Sequence, residues 1–209
     1  AIVGITGANG LGKTTLIKMI TGREQPDEGE IDVGQNTKFC YVDQNRQELD
    51  PEKTVYEEVS GGSEIIEYGD KELSVRHYLA RFLFTGAIQQ TPVANLSGGE
   101  RARVQLAKSL RQSSNFIILD EPTNDLDLMT LRVLEEALQE FPGCVIVITH
   151  DRYFLDRIAT HIIGFEGDGR VEFCTGAWDS YAEQRERREE KRGGSASRSF
   201  VHRKIEGIR

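Results

Sequence analysis

Residues 7–15 read "GANGLGKTT". They follow "AIVGIT", an apolar run of strand character, and they precede residues 13–21, where Leu16, Met19 and Ile20 recur at helical spacing. A strand, a glycine-rich turn and a helix form the context in which G-x-x-x-x-G-K-[ST] cradles phosphate, and Gly7, Gly12, Lys13 and Thr14 fill that spacing. The glycines let backbone N–H groups turn inward around phosphate oxygens, and the helix adds its positive N-terminal end. The stretch is therefore read as nucleotide-binding through Gly7, Asn9, Gly10, Gly12, Lys13, Thr14 and Thr15. Lys13 is expected to reach the β- and γ-phosphates, and Thr14 to ligate Mg²⁺.

Beyond this loop the chain alternates strands and helices. "EIDVG" and "TKFCYVD" read as strands, and "TVYEEVS" and "LSVRHYLARFLF" as helices. A helix follows Ser97, which is placed to cap it, with Ala102, Leu106 and Leu110 at steps of four. Then come "NFIILD" (strand), a helix carrying Leu131, Leu134, Leu138 and Phe141, "CVIVIT" (strand), a short helix from Asp151, and strands "HIIGF" and "RVEFC". Alternation of this kind predicts an α/β fold with a mainly parallel sheet covered by helices. The insertion at about 50–110 is expected to be a mostly helical, separate lobe.

"FIILDEP" ends a buried strand with two carboxylates. Asp120 suits the metal side of a phosphate-loop nucleotidase, and Glu121 stands where it can polarise an attacking water. His150 follows "VIVIT" and can touch a γ-phosphate; Gln44 follows "FCYVD" and can sense metal or water. The catalytic candidates are thus Glu121, His150 and Gln44, and the metal candidates Thr14, Gln44 and Asp120.

"LSGGE" at 96–100, together with the phosphate loop, "ILDEP" and "ITHD", resembles the ABC ATPase family in the order and spacing of every element. The resemblance implies an ABC-type domain with a small antiparallel β part and a helical signature subdomain. It also implies that Ser97, Gly98 and Gly99 contact the γ-phosphate held by a second ABC domain, in the same full-length chain or in a homodimer partner. "LSGGERARVQLAKSL" and "DEPTNDLD" resemble the soluble ABC-F branch, and the stretches between resemble the second ATPase domain of a translation-regulating member. Members of that type bind the ribosome near the tRNA exit site, so rRNA and tRNA are expected partners. The resemblance covers about 1–182 and implies that strands preceding the phosphate loop belong to the complete domain, so no adenine-stacking residue is assigned.

The net charge of −8 argues against nonspecific nucleic-acid binding by the whole surface. Residues 183–209 nevertheless hold nine Lys/Arg against five Asp/Glu. They read as a basic, partly disordered tail, with "RERREEKR" a solvated helix and "GGSASRS" a flexible linker. The two readings are a solvated helix with a disordered end, and an electrostatic contact to RNA. No apolar run approaches the ~20 residues of a membrane-spanning helix. Cys40, Cys144 and Cys174 lie far apart in apolar surroundings and are expected to be buried thiols of a reducing cytoplasm. Two other readings share these motifs: the nucleotide-binding subunit of a membrane transporter, and a non-catalytic module that binds ATP as a structural ligand.

Overall fold

Phe116–Leu119 and Val145–Ile148 are apolar at consecutive positions, so a strand built from either has no face suited to water. Such strands belong in the middle of a parallel sheet covered on both sides. The computed structural model describes residues 1–42, 48–68, 71–111, 114–124 and 126–191. In it, β1 (Ile2–Gly7), β2 (Phe39–Val42), β5 (Phe116–Asp120), β6 (Cys144–Ile148), β7 (His161–Gly167) and β8 (Arg170–Thr175) form one sheet in the order β2-β5-β6-β1-β7-β8. All neighbours are parallel except β7 and β8.

Alternate residues serve opposite faces. Ile117, Leu119, Val145 and Val147 enter a large apolar cluster with Leu134 and Leu138 of α5 (Leu128–Glu140) and Phe154 of α6 (Arg152–Ile158). Ile118, Ile146, Ile148 and Ile5 enter a second cluster with Ile17 of α1 (Lys13–Ile20). Ile17 is the fully buried apolar residue of α1, with Leu16 and Ile20 packed beside it. The register aligns the strand ends: Ile148 pairs with both Ile5 and Asp120, and Leu119 with both Val42 and Val147. The loops after β1, β5 and β6 therefore leave from one edge of the sheet.

Residues 50–110 hold α2 (Val55–Ser60), the antiparallel pair β3 (Ile65–Tyr68) and β4 (Lys71–Ser74), α3 (Val75–Arg81) and α4 (Gly98–Leu110). The hairpin is a departure from the mostly helical reading. The lobe is also not separate in its packing: Val55, Val59, Tyr78, Leu79, Phe82, Phe84, Val104 and Leu110 belong to the same cluster as the sheet face. On α4 the buried side is Val104, Ala107 and Leu110 rather than the Ala102–Leu106–Leu110 row. Residues 31–34 form no strand; the alternation Ile31/Val33 is present, yet no described strand pairs with it, and an unpaired ladder is not stable. Cys40 and Cys174 are buried, whereas Cys144 is exposed at the start of β6.

α7 (Trp178–Lys191) runs through position 183 without a break. Its Arg188 pairs with Glu166 at 2.8 Å and lies near Glu172 at 3.8 Å, and Tyr181 packs in a small cluster with Leu155 and Ile162. The beginning of the charged stretch is thus a helix docked on β7 and β8, and its remainder from 192 lies outside the described residues.

The Glu58 side chain is 2% exposed, held by Lys108 at 2.6 Å with Lys53 at 3.9 Å. Removing Lys108 leaves a buried carboxylate with only a distant cation. Lys108→Met should cost about 2 kcal/mol in urea unfolding, less than for a wholly enclosed pair because Lys53 remains within reach. Adding Glu58→Gln to that variant should recover part of the loss.

Candidate nucleotide site

β1 ends at Gly7 with φ 140°, where a Cβ would collide with the Phe165 carbonyl of the paired strand β7. Gly10 (φ 82°) and Gly12 (φ 96°) carry the chain through left-handed conformations that favour glycine. Gly12 caps α1 with no side-chain hydrogen bond, and the first intrahelical bond is Leu16 N–H to the Gly12 carbonyl at 2.9 Å. The amides of Lys13, Thr14 and Thr15 therefore lack intrahelical acceptors and carry the positive end of the helix. The Lys13 ammonium folds back and donates to the carbonyls of Gly7 at 2.7 Å and Ala8 at 2.9 Å. Lys13 is 8% exposed, and among the described residues no carboxylate lies within ion-pair distance of it. A buried cation facing only neutral carbonyls, beside a helix N-terminus, is a site that an anion completes. The residues present thus fit a phosphate group, with the exposed Thr14 and Thr15 hydroxyls alongside.

The carboxylates stand at the ends of neighbouring strands. Asp120 accepts a hydrogen bond from the Tyr41 hydroxyl at 3.2 Å. Glu121 sits at φ 47°, and its N–H donates to the Ile148 carbonyl at 2.8 Å, holding the strained residue against β6. One oxygen of its carboxylate, Oε1, is 3.4 Å from His150 Nε2; the other, Oε2, accepts from the Thr149 hydroxyl at 3.3 Å. The same His150 nitrogen is 3.1 Å from Asn9 Oδ1 in the phosphate loop. Asn9, His150 and Glu121 thus tie the loop after β1 to the ends of β5 and β6. Gln44 lies outside the described residues.

Ser97 and Glu100 form a reciprocal cap on α4. The Ser97 hydroxyl accepts from the Glu100 N–H at 3.3 Å, and Glu100 Oε2 receives the Ser97 N–H at 2.8 Å and its hydroxyl at 2.7 Å. Gly98 has open space where a Cβ would stand. At Gly99 a Cβ would collide with the carboxylate of Asp127, the residue that caps α5 by accepting from Thr130 N–H at 2.7 Å. Among the described residues no hydrogen bond or ion pair joins Ser97–Gly99 to Lys13, Glu121 or His150. The signature belongs to a different part of the surface network from the phosphate loop.

Sequence reading alone did not find Tyr41, Thr149 or Asp127. Thr149 carried a faint signal as the one polar residue between "VIVI" and "HD"; the pairing of Asn9 with His150, 141 positions apart, carried none.

Residues 1–124 match the family described as ABC transporter. The chain belongs to the ABC transporter family. Within it, the chain is 55% identical over 187 residues to the energy-dependent translational throttle protein EttA of Escherichia coli K12, covering 90% of this chain and 34% of that protein. It is 50% identical over 210 residues to EttA of Mycobacterium tuberculosis H37Rv, covering 98% of this chain and 37% of that one. These identities agree with the ABC-F branch. The chain spans about a third of the length of the curated relatives it matches. Among solved structures, the archaeal ribosome recycling factor aABCE1, in complex with the ribosomal stalk protein aP1, superposes with a TM-score of 0.63 at 28% identity. That match covers 89% of this chain and 36% of the recycling factor. No described helix is long and apolar enough to cross a membrane.

The bonds from the Ser97 hydroxyl and backbone hold the Glu100 carboxyl below its ordinary range. A lowered folded-state value means that this cap contributes stability above the ordinary glutamate range and loses it as pH falls through the folded value. Glu100→Gln should be less stable than wild type at neutral pH in urea unfolding, and the gap should close in acid. A gap independent of pH would show that the charge is not what the cap uses.

Proposed function

We propose that this chain is one ATP-hydrolysing domain of a paired ABC-F ATPase that acts on the ribosome to regulate translation. The observation that carries the catalytic reading is the bridge from Asn9 through His150 to Glu121. It sets a carboxylate beside a loop whose lysine has no anionic partner among the described residues. Lys13 and the amides of residues 13–15 would hold the phosphates, with Gly7, Gly10 and Gly12 allowing the close approach. Thr14 and Asp120 would hold Mg²⁺; Gln44, the third metal candidate of the sequence, lies outside the described residues. One hydroxyl and one carboxylate suit an ion that takes one or two protein oxygens and completes its shell with phosphate and water. Bound Mg²⁺ would supply charge neutralisation on the phosphoryl oxygens. Glu121 would accept the proton of the attacking water, and His150, anchored by Asn9, would read the γ-phosphate. Ser97, Gly98 and Gly99 would serve the nucleotide of a second ABC domain, so complete sites form only in the pair. The likeness to EttA and to the recycling factor supports the ribosomal role; contacts to rRNA and tRNA near the exit site are the finer part of the proposal and follow from the family resemblance alone. The basic residues from 183 onward are the part of the chain best charged for RNA. On this reading the protein works in the cytoplasm.

Two variants of the complete two-domain protein test the proposal. Lys13→Ala should weaken Mg-ATP binding about tenfold to a hundredfold in calorimetry while circular dichroism stays unchanged. Glu121→Gln keeps the side-chain size and removes the charge, so single-turnover hydrolysis should fall by ~10²–10⁴ with ATP binding kept. The ATP-loaded Glu121→Gln protein should then sediment with ribosomes. Slow hydrolysis without ribosome retention would keep the chemistry and remove the ribosomal role.

A further inference from the structure

Thr149 is fully buried, yet its hydroxyl meets three polar partners. The Asp151 N–H donates to it at 3.1 Å, the Thr123 hydroxyl lies at 3.2 Å, and Glu121 Oε2 lies at 3.3 Å. A hydroxyl has one proton and two acceptor positions. A carboxylate only accepts, so the Thr149 proton goes to Glu121. The Asp151 N–H then takes one acceptor position, and the other is left for the Thr123 hydroxyl, which must donate. The three bonds are mutually consistent in one direction only: Thr123 to Thr149 to Glu121.

We propose that Thr149 is a positioning residue for hydrolysis: its hydroxyl engages Glu121 Oε2 and so presents Oε1 on the side of His150 and Asn9. Without that bond the carboxylate is free to turn about its terminal torsion, which is a broad one. Glu121 itself is pinned in an unusual backbone conformation by the Ile148 carbonyl, so main chain and side chain are fixed independently, both from β6 and the residues just after it. The O···O separations are long for hydroxyl bonds, as is common before a reacting complex tightens. The inference rests on Glu121 being the base, and the experiment separates the two ideas.

Thr149→Val keeps the shape and removes the donor. In the complete protein it should slow single-turnover ATP hydrolysis roughly 10–100-fold, the range that a misplaced catalytic group produces. The Kd for a non-hydrolysable ATP analogue should stay within about twofold, because ground-state binding does not use this bond. Thr149→Ser should restore the rate. Without nucleotide, the Asp151 amide should exchange hydrogen faster in Thr149→Val and remain protected in Thr149→Ser. Placed on Glu121→Gln, Thr149→Val should add little further slowing. Should Thr149→Val fail to fold, Thr123→Val removes the donor to Thr149 and should slow hydrolysis by a few-fold with unchanged analogue binding. A slow Glu121→Gln beside a wild-type rate for the folded threonine variant overturns the positioning role alone. A wild-type rate for Glu121→Gln overturns the base on which it rests. Equal slowing by Thr149→Val with and without Glu121 also overturns it, since Thr149 would then act through another group.

Discussion

The alignment of three parallel strand ends underlies everything else in this molecule. Ile148 pairs with Ile5 on one side and with Asp120 on the other, so β1, β6 and β5 finish at the same level. A slip of one residue would exchange the faces of every side chain, and both faces are buried against helices, so the register has no cheap alternative. Because the strands end together, the phosphate loop, the Asp120–Glu121 pair and Thr149–His150 emerge as neighbours. The chemistry proposed here is a consequence of that level finish, in the manner of ligands that bind outside the carboxyl ends of parallel strands.

The edge so formed keeps its charges apart. The Lys13 ammonium is turned onto two carbonyls, and Glu121 is turned toward Thr149 and His150. Direct pairing of lysine and glutamate would neutralise both and leave nothing for a phosphate to complete. Asn9 and His150 stand between them and link the two sides. Preorganised polar groups of this kind act where charge develops, and need no rearrangement when it does.

The helical lobe is tied to the same framework. Its apolar residues continue the cluster on one face of the sheet, and the start of α4 abuts the cap of α5, with Gly99 against Asp127. A substitution at Gly99 therefore disturbs α5 as well as the signature, and α5 follows directly from the segment that holds Glu121. Signature and carboxylate belong to one packed body, even though no hydrogen bond among the described residues joins them.

Much of the site was legible because its chemistry is local. A loop that must wrap phosphate needs glycines and a lysine at set spacing, and a carboxylate pair at a strand end needs an apolar run before it. Both requirements are written in consecutive residues, "GANGLGKTT" and "FIILDEP". The sheet was legible for the same reason, since strands buried on both faces must be continuously apolar. Local reading failed at 31–34, where alternation suggests a strand, because a strand is stable only when a neighbour takes its hydrogen bonds. It failed again at the hairpin β3–β4, whose pairing depends on the lobe around it. The roles of Tyr41 and Asp127 were invisible and that of Thr149 only faintly marked, since each is defined by what it meets: Asp120, Gly99 and the Glu121 carboxylate. The sequence by itself determined which groups are available to hold phosphate and move a proton. Only the tertiary structure decided which oxygen of Glu121 is held and which faces His150, because hydrogen-bond direction depends on atoms brought together across the sheet.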